Sequence, residues 1–181
     1  VINDIFVPVL DVVGQKYDEG VFFLPQLMAS AEAVKAGFDL IRDHTQAAAS
    51  APGTTNAAGD RAIIVATVQG DIHDIGKNIV KMLLENYGFT VIDLGRDVAP
   101  EAVLAAARDT RARLIGLSAL MTTTVGAMER TIQLIHEQLP GTAVMVGGAV
   151  ITQEFADQIG ADFYAKDAAA STRVASAFFD D

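Results

Sequence analysis

Cysteine is absent from all 181 residues. Disulfides, iron–sulfur clusters and thiolate zinc sites are thereby excluded, and the lack of thiols suits a cytoplasmic protein. Basic residues are scarce: 13 Lys and Arg stand against 23 Asp and Glu, for a net charge of −10. An acidic surface repels phosphate backbones, so no nucleic-acid partner is expected. No apolar run approaches the ~20 residues needed to cross a bilayer, so no membrane association is expected either. The first residues, VINDIFVP, lack the basic start of a signal peptide and lack Met, as in a fragment or a processed form. What is abundant is apolar material. Hydrophobic residues make up 51% against 20% charged, enough for one ordinary domain with a small appendage.

Residues 44–60, HTQAAASAPGTTNAAGD, are small and polar with Pro52 among them, and they read as a flexible linker. Residues 1–43 ahead of it read as two helices. Ile5, Val9, Val12 and Val13 share a face at helical spacing. A turn follows at Asp18-Glu19-Gly20, and Pro25 sits early in a second helix running to about Arg42, where proline is tolerated.

Residues 61–181 alternate between two patterns. Strands are expected at 63–68, 90–94, 114–117, 143–146 and 162–165. Helices are expected at 77–87, 100–110, 125–139, 152–159 and 168–179. Such alternation indicates a parallel sheet covered on both faces. About 120 residues of it fit a flavodoxin-like, doubly wound five-stranded fold with strand order 2-1-3-4-5. In that topology ligands bind at the carboxyl ends of strands 1 and 3, where the winding reverses. Those ends carry Gln69-Gly70-Asp71-Ile72-His73-Asp74-Ile75-Gly76 and Ser118-Ala119-Leu120-Met121-Thr122-Thr123-Thr124. Strand 4 ends in Gly147-Gly148-Ala149, where missing side chains would let a ligand approach the backbone.

In the first loop His73 follows Asp71 by two positions. Imidazole suits cobalt, iron or zinc, and a ligating histidine usually donates its other ring N–H to a carboxylate. Asp71 is placed to be that carboxylate. The same residues would also serve as a plain helix cap, with Asp74 near the positive end of the helix. A zinc site needs three or four ligands, and only His44 and His136 remain. A receiver domain would carry an acceptor Asp where Ser118 stands. The acidic first loop would repel the phosphate of a flavin, and the Gly-x-Gly-x-x-Gly of a dinucleotide site is missing.

Asp71-x-His73-x-x-Gly76, Ser118-x-Leu120 and Gly147-Gly148 together resemble the three-part signature of cobalamin-binding domains, in the right order and after the expected strands. The segment from Tyr17 to Leu27, YDEGVFFLPQL, is similar to the helical cap over the methyl face of cobalamin in methionine synthase and in the corrinoid proteins of anaerobic methyl transfer. Mutases that share the Asp-x-His signature lack this cap, so the resemblance selects methyl transfer over radical rearrangement. The family's cap has four helices, of which only the last two are found here. Thr124 stands where the family often has Ser, and Tyr17 where it often has Phe.

The resemblance implies a partial cap at 1–43, the linker at 44–60 and a Rossmann-like cobalamin-binding domain at 61–181. It implies cobalamin, or a related corrinoid such as methylcobalamin, with its own base displaced and His73 as the lower ligand to cobalt. Asp71 and Thr124 would complete a relay with His73. Gly70, Asp74, Ile75, Gly76, Ser118, Leu120, Thr122, Gly147, Gly148 and Ala149 would line the cofactor, with Tyr17, Leu24 and Leu27 over its upper face. The partners implied are a donor-specific methyltransferase, an acceptor methyltransferase acting on tetrahydrofolate or a thiol, and a reductive activator. Three other readings remain: a cobalamin module of a methionine synthase, a cobalamin-dependent sensor or regulator, and a binding module for a ligand other than a corrinoid.

Overall fold

A computed structural model describes residues 7–48 and 61–180. The chain divides into two compact units, residues 1–56 with 85–88 and residues 57–84 with 89–181.

The described part of the first unit is a helical pair together with residues 85–88. Helix α1 (Val7–Asp18) runs into a turn in which Gly20 takes φ +72°, a conformation that glycine adopts without strain. The N–H groups of Glu19, Gly20 and Val21 are taken up there by the carbonyls of Gln15, Tyr17 and Lys16. Helix α2 (Leu24–Ala48) opens with Pro25 in its first turn, where no intrahelical N–H bond is lost. Leu10 and Val13 of α1 are buried, as are Leu27, Ala31 and Val34 of α2, at the three- and four-residue spacing of a helix face. The expected face of Ile5, Val9, Val12 and Val13 is corrected in part. Val13 is buried, but Val9 and Val12 are exposed, and Ile5 lies outside the described residues. The buried stripe of α1 is turned towards Leu10. Helix α2 also continues through His44 to Ala48, residues that the sequence reading gives to the linker. Gln46, Ala47 and Ala48 are good helix formers and prolong it. Residues 49–60 lie outside the described residues.

The second unit alternates as expected: β1 (Ala62–Thr67), α3 (Ile75–Asn86), β2 (Thr90–Asp93), α4 (Pro100–Thr110), β3 (Leu114–Ser118), α5 (Val125–Gln138), β4 (Ala143–Gly147), α6 (Gln153–Gln158), β5 (Phe163–Tyr164) and α7 (Ala168–Asp180). The strands form one parallel sheet in the order β2-β1-β3-β4-β5, so the doubly wound, flavodoxin-like expectation holds. All six residues of β1 are buried, as a central strand covered on both faces requires. On one face Ile64, Ala66, Ile115, Leu117, Val144 and Val146 pack with Val103 and Ala107 of α4 and with Met128 and Ile132 of α5. The register places Thr67, Ser118 and Gly147 side by side at the carboxyl ends of β1, β3 and β4. Two elements, α6 and β5, are each two residues shorter than expected. Thr152 stands outside α6 as its N-cap, its hydroxyl accepting the Phe155 N–H. Strand β5 is an edge of two residues.

At the end of β4 the chain passes very close to its neighbours. Gly148 has φ +130°, and a Cβ there would stand 1.9 Å from the Ala119 carbonyl oxygen. A Cβ on Gly147 would stand 2.8 Å from the Ala165 carbonyl oxygen. The sequence reading keeps this space for a ligand; the fold's own backbone adds a second reason for two glycines. Gly148→Ala should therefore cost more than ~4 kcal/mol, combining backbone strain with a clash against main chain. Urea unfolding of the variant checks this, and a loss under ~1 kcal/mol would show that the turn moves aside freely.

Candidate functional site

The loop after β1 is shaped by main-chain bonds before any side chain acts. Gly70 takes φ +85°, and the Asp71 N–H donates to the Val68 carbonyl at 3.0 Å. Val68 also bridges Val98 in the segment after β2. From that segment Asp97 reaches across twice. Its carboxylate accepts the Gly70 N–H at 2.7 Å, and its own N–H donates to the Asp71 carbonyl at 2.9 Å. Asp97 sits at φ +55°, a left-handed conformation that Asp tolerates better than most residues.

These bonds turn the Asp71 side chain inward, where it is fully buried. Both of its oxygens are used. Oδ1 accepts the His73 backbone N–H at 3.0 Å and lies 2.8 Å from His73 Nδ1. Oδ2 accepts the Leu120 N–H at 2.7 Å and, more weakly, the Met121 N–H at 3.3 Å, both from the loop after β3. The Thr124 hydroxyl is 3.2 Å from the same oxygen and 2.8 Å from the Met121 carbonyl, so its one proton is shared between them. Burial alone would push the Asp71 carboxyl up. The bonds from His73, Leu120 and Met121 outweigh that and hold its pKa at about 2. The charge therefore persists at neutral pH. A carboxylate only accepts, so the proton of the neutral imidazole sits on Nδ1 and the Nε2 lone pair is free. The ring itself is about half exposed.

Three apolar side chains are exposed on the same two loops and at the start of α3. Ile72, Ile75 and Leu120 are 61%, 78% and 41% exposed. Asp74 immediately precedes α3, and its carbonyl takes the Asn78 N–H. Gly76 lies in the first turn of that helix. Behind them Lys77, nearly fully buried, pairs with Asp93 at the end of β2 at 2.5 Å, and Asp93 also accepts the Gly95 N–H. The structure thus brings Gly70, Asp71, His73, Leu120 and Thr124 into one cluster of contacts. Ser118 ends β3 at its edge, and Thr122 begins the 3-10 turn that carries Thr124. Gly147, Gly148 and the exposed Ala149 follow β4. Tyr17, Leu24 and Leu27 stand in the helical unit, where Leu27 belongs to the buried stripe and the other two are half-buried. Among the described residues no three His, Asp or Glu side chains converge as a metal site; His73 offers one nitrogen.

Sequence reasoning missed Asp97 and the Lys77–Asp93 pair, which hold the ends of the His73 loop. The Gly95-Arg96-Asp97 turn was a usable signal for the first, since Gly and Asp both suit left-handed backbone. A lysine in the first turn of a helix, against the helix dipole, was a usable signal for the second.

Fold and loops together define a switch-point binding domain presenting a single oriented imidazole. Two family models described as B12 binding domain match the chain, one over residues 61–175 and the other over residues 1–42. Dimethylamine corrinoid protein 3 of Methanosarcina mazei is 41% identical over 158 residues, which cover 86% of this chain and 91% of that protein. The methanol:cobalamin methyltransferase complex MtaBC from Methanosarcina barkeri superposes with a TM-score of 0.76 at 35% identity, covering 99% of this chain and 66% of that one. A cobalamin-binding protein from Desulfitobacterium hafniense DCB-2 gives a TM-score of 0.77 at 27% identity, covering 93% and 77%. The chain belongs to the B12-binding domain family, among its corrinoid proteins, and its cofactor is a corrinoid. No helix among the described residues is long and apolar enough to cross a membrane.

The Asp71 geometry fixes a pH dependence. Its pKa is lower in the folded chain, about 2 against 3.8, so its contribution to stability is complete above about pH 5 and is lost as pH falls towards 2. That contribution is about 2 kcal/mol. Asp71→Asn turns an NH2 group against N–H donors whichever way the amide lies, and should cost about 3 kcal/mol at pH 7. Urea midpoints of both proteins from pH 7 to pH 3 should show the gap narrowing on acidification. A gap independent of pH would mean that the carboxylate's charge is not what these bonds hold.

Proposed function

We propose that this protein holds a corrinoid with its own base displaced and His73 Nε2 as lower ligand to cobalt, and that it shuttles a methyl group between two methyltransferases. The observation that carries this reading is the 2.8 Å contact of His73 Nδ1 with the buried Asp71 carboxylate, which leaves Nε2 free on a half-exposed ring. The residues fit such a group. Imidazole nitrogen is a suitable donor for cobalt. Exposed Ile72, Ile75 and Leu120 suit the apolar body of a macrocycle that would cover them. When bound, the corrinoid supplies a cobalt centre able to take up and release a methyl group.

The chain's own residues do the rest. Asp71 fixes the tautomer and direction of the His73 ring, and Thr124 steadies the oxygen of Asp71 that does not touch the ring. Ser118, Gly147, Gly148 and Ala149 are assigned to the nucleotide tail. Tyr17, Leu24 and Leu27 are assigned, on family likeness, to the cover of the upper face. A donor-specific methyltransferase would bring the methyl group from methanol, a methylamine or a methoxylated aromatic. An acceptor methyltransferase would pass it to tetrahydrofolate or a thiol, and a reductive activator would return oxidised cofactor to service. Relatives named for dimethylamine and for a methanol:cobalamin methyltransferase complex support this class of partner.

His73→Gly tests the assignment. The variant's bound corrinoid should change its visible spectrum, and methyl transfer with partner enzymes should fall by about 10- to 100-fold. In the cobalt(II) state of the wild type, an axial nitrogen splits the paramagnetic resonance signal, and labelling histidine with nitrogen-15 should alter that splitting. Identical spectra from labelled and unlabelled protein would remove His73 from the cobalt.

A further inference from the structure

The turn that leads from β1 into the His73 loop has two forms open to it, and one side chain selects between them. The Asp71 N–H donates to the Val68 carbonyl, so Val68, Gln69, Gly70 and Asp71 make a β-turn. Gly70 takes φ +85°, whereas Gln69 keeps a negative φ. That combination is a type II turn. A type I turn differs from it mainly by a flip of the central peptide, here the one joining Gln69 to Gly70. Glycine permits both forms without strain, so the choice is made from outside the turn. The N–H of that central peptide belongs to Gly70, and the Asp97 carboxylate holds it at 2.7 Å.

Asp97 is itself well anchored. The Val98 N–H donates to the Thr67 carbonyl at 3.1 Å, and the Thr67 N–H donates to the Gly95 carbonyl at 2.9 Å. Asp97 therefore rides on the chain leaving β2 where it is bonded to the end of β1. Its own N–H donates to the Asp71 carbonyl at 2.9 Å. One bond grips the peptide before Gly70 and the other the peptide after Asp71, so together they bracket the Asp71 backbone. The Asp71 carboxylate has to aim one oxygen at His73 Nδ1, 2.8 Å away, and the other at the Leu120 N–H, 2.7 Å away. Such bonds weaken steeply once their angles are lost. Gly70 and Asp97 are both exposed, so water can satisfy either group. The bond between them is not needed to answer a buried donor; what it supplies is direction.

We propose that Asp97 is a positioning residue for the lower ligand to cobalt. Its carboxylate keeps the Gln69–Gly70 peptide in the type II form, which aims Asp71 at His73 and so sets how firmly the imidazole stays on the metal. The inference rests on the corrinoid reading of the preceding section. Asp97 acts through the backbone of the turn and through Asp71.

Two substitutions separate direction from stability. Asp97→Gly keeps the left-handed backbone and removes the carboxylate. Asp97→Asn keeps an oxygen that accepts the Gly70 N–H. In cofactor-free protein carrying nitrogen-15 histidine, magnetic resonance in mildly alkaline buffer reads the tautomer of His73. Wild type and Asp97→Asn should hold the proton on Nδ1, and Asp97→Gly should show both tautomers. The full chain is then reconstituted with hydroxocobalamin and reduced to cobalt(II), and paramagnetic resonance reads how much cobalt carries a histidine nitrogen. The ratio of ligated to unligated cobalt should fall roughly 5- to 20-fold in Asp97→Gly and stay within about threefold of wild type in Asp97→Asn. Urea midpoints of the cofactor-free proteins should differ little, because glycine relieves the φ +55° of Asp97 while the lost bond lies in water. A lower urea midpoint in Asp97→Gly with tautomer and cobalt(II) spectrum unchanged overturns the inference, by making Asp97 a support of the fold alone. A second measurement needs no variant: the wild-type Gly70 amide should exchange with solvent about tenfold or more slowly than a free loop amide. Exchange at the free rate shows that Asp97 does not hold the peptide, and overturns the inference even where Asp97→Gly fails to fold. Wild-type cobalt(II) without a histidine nitrogen overturns the corrinoid reading itself, whereas a normal wild-type spectrum shared by Asp97→Gly overturns only the role of Asp97.

Discussion

The Asp71 carboxylate is the point through which the rest of the site is built. One oxygen holds His73, two residues away, and the other holds Leu120, 49 residues further along the chain. A buried charge needs several donors to be tolerable, and each donor here belongs to a loop that must be somewhere in particular. The loops after β1 and β3 are therefore fixed to each other by the same group that fixes the imidazole. Its depressed pKa and the direction of the His73 lone pair are two consequences of one set of bonds.

Support comes from elements that never touch the imidazole. Asp97 grips the Gly70–Asp71 backbone from the β2 side, and Lys77 ties the first turn of α3 to Asp93. Both acts fasten the His73 loop at its two ends to the scaffold of the sheet. The close approach of Gly148 to Ala119 does the same for the third loop at this end of the sheet. A site on loops gains the rigidity of the sheet when its loops are stapled in this way.

Where the sequence carried periodic or positional signals, it was legible. The central strands read as short apolar β-rich runs because they are covered on both faces, and the helices as amphipathic stretches, which led to the strand order and hence the switch point. Asp71 and His73 were readable as a pair from their spacing after β1, and Thr124 joined them only through the likeness to cobalamin-binding domains. The helical unit was less legible. Val9 and Val12 have the spacing of a buried face, yet burial went to the side of Leu10, which only the partner helix decides. Helix α2 ran past its expected end because small polar residues such as those at 44–48 are compatible with either helix or linker.

The sequence by itself determined the alternation of elements, the parallel sheet and the Asp-x-His loop at its carboxyl end, because each is a local pattern of residue types. Tertiary structure alone decided which imidazole nitrogen is free, why Gly148 admits no side chain, and that Asp97 and Lys77 hold the ends of the His73 loop. Each of these depends on a partner far away in sequence: Leu120 on Asp71, Ala119 on Gly148, Gly70 on Asp97, Asp93 on Lys77. Local propensity carries no information about such pairs, since they exist only once the sheet has set its register.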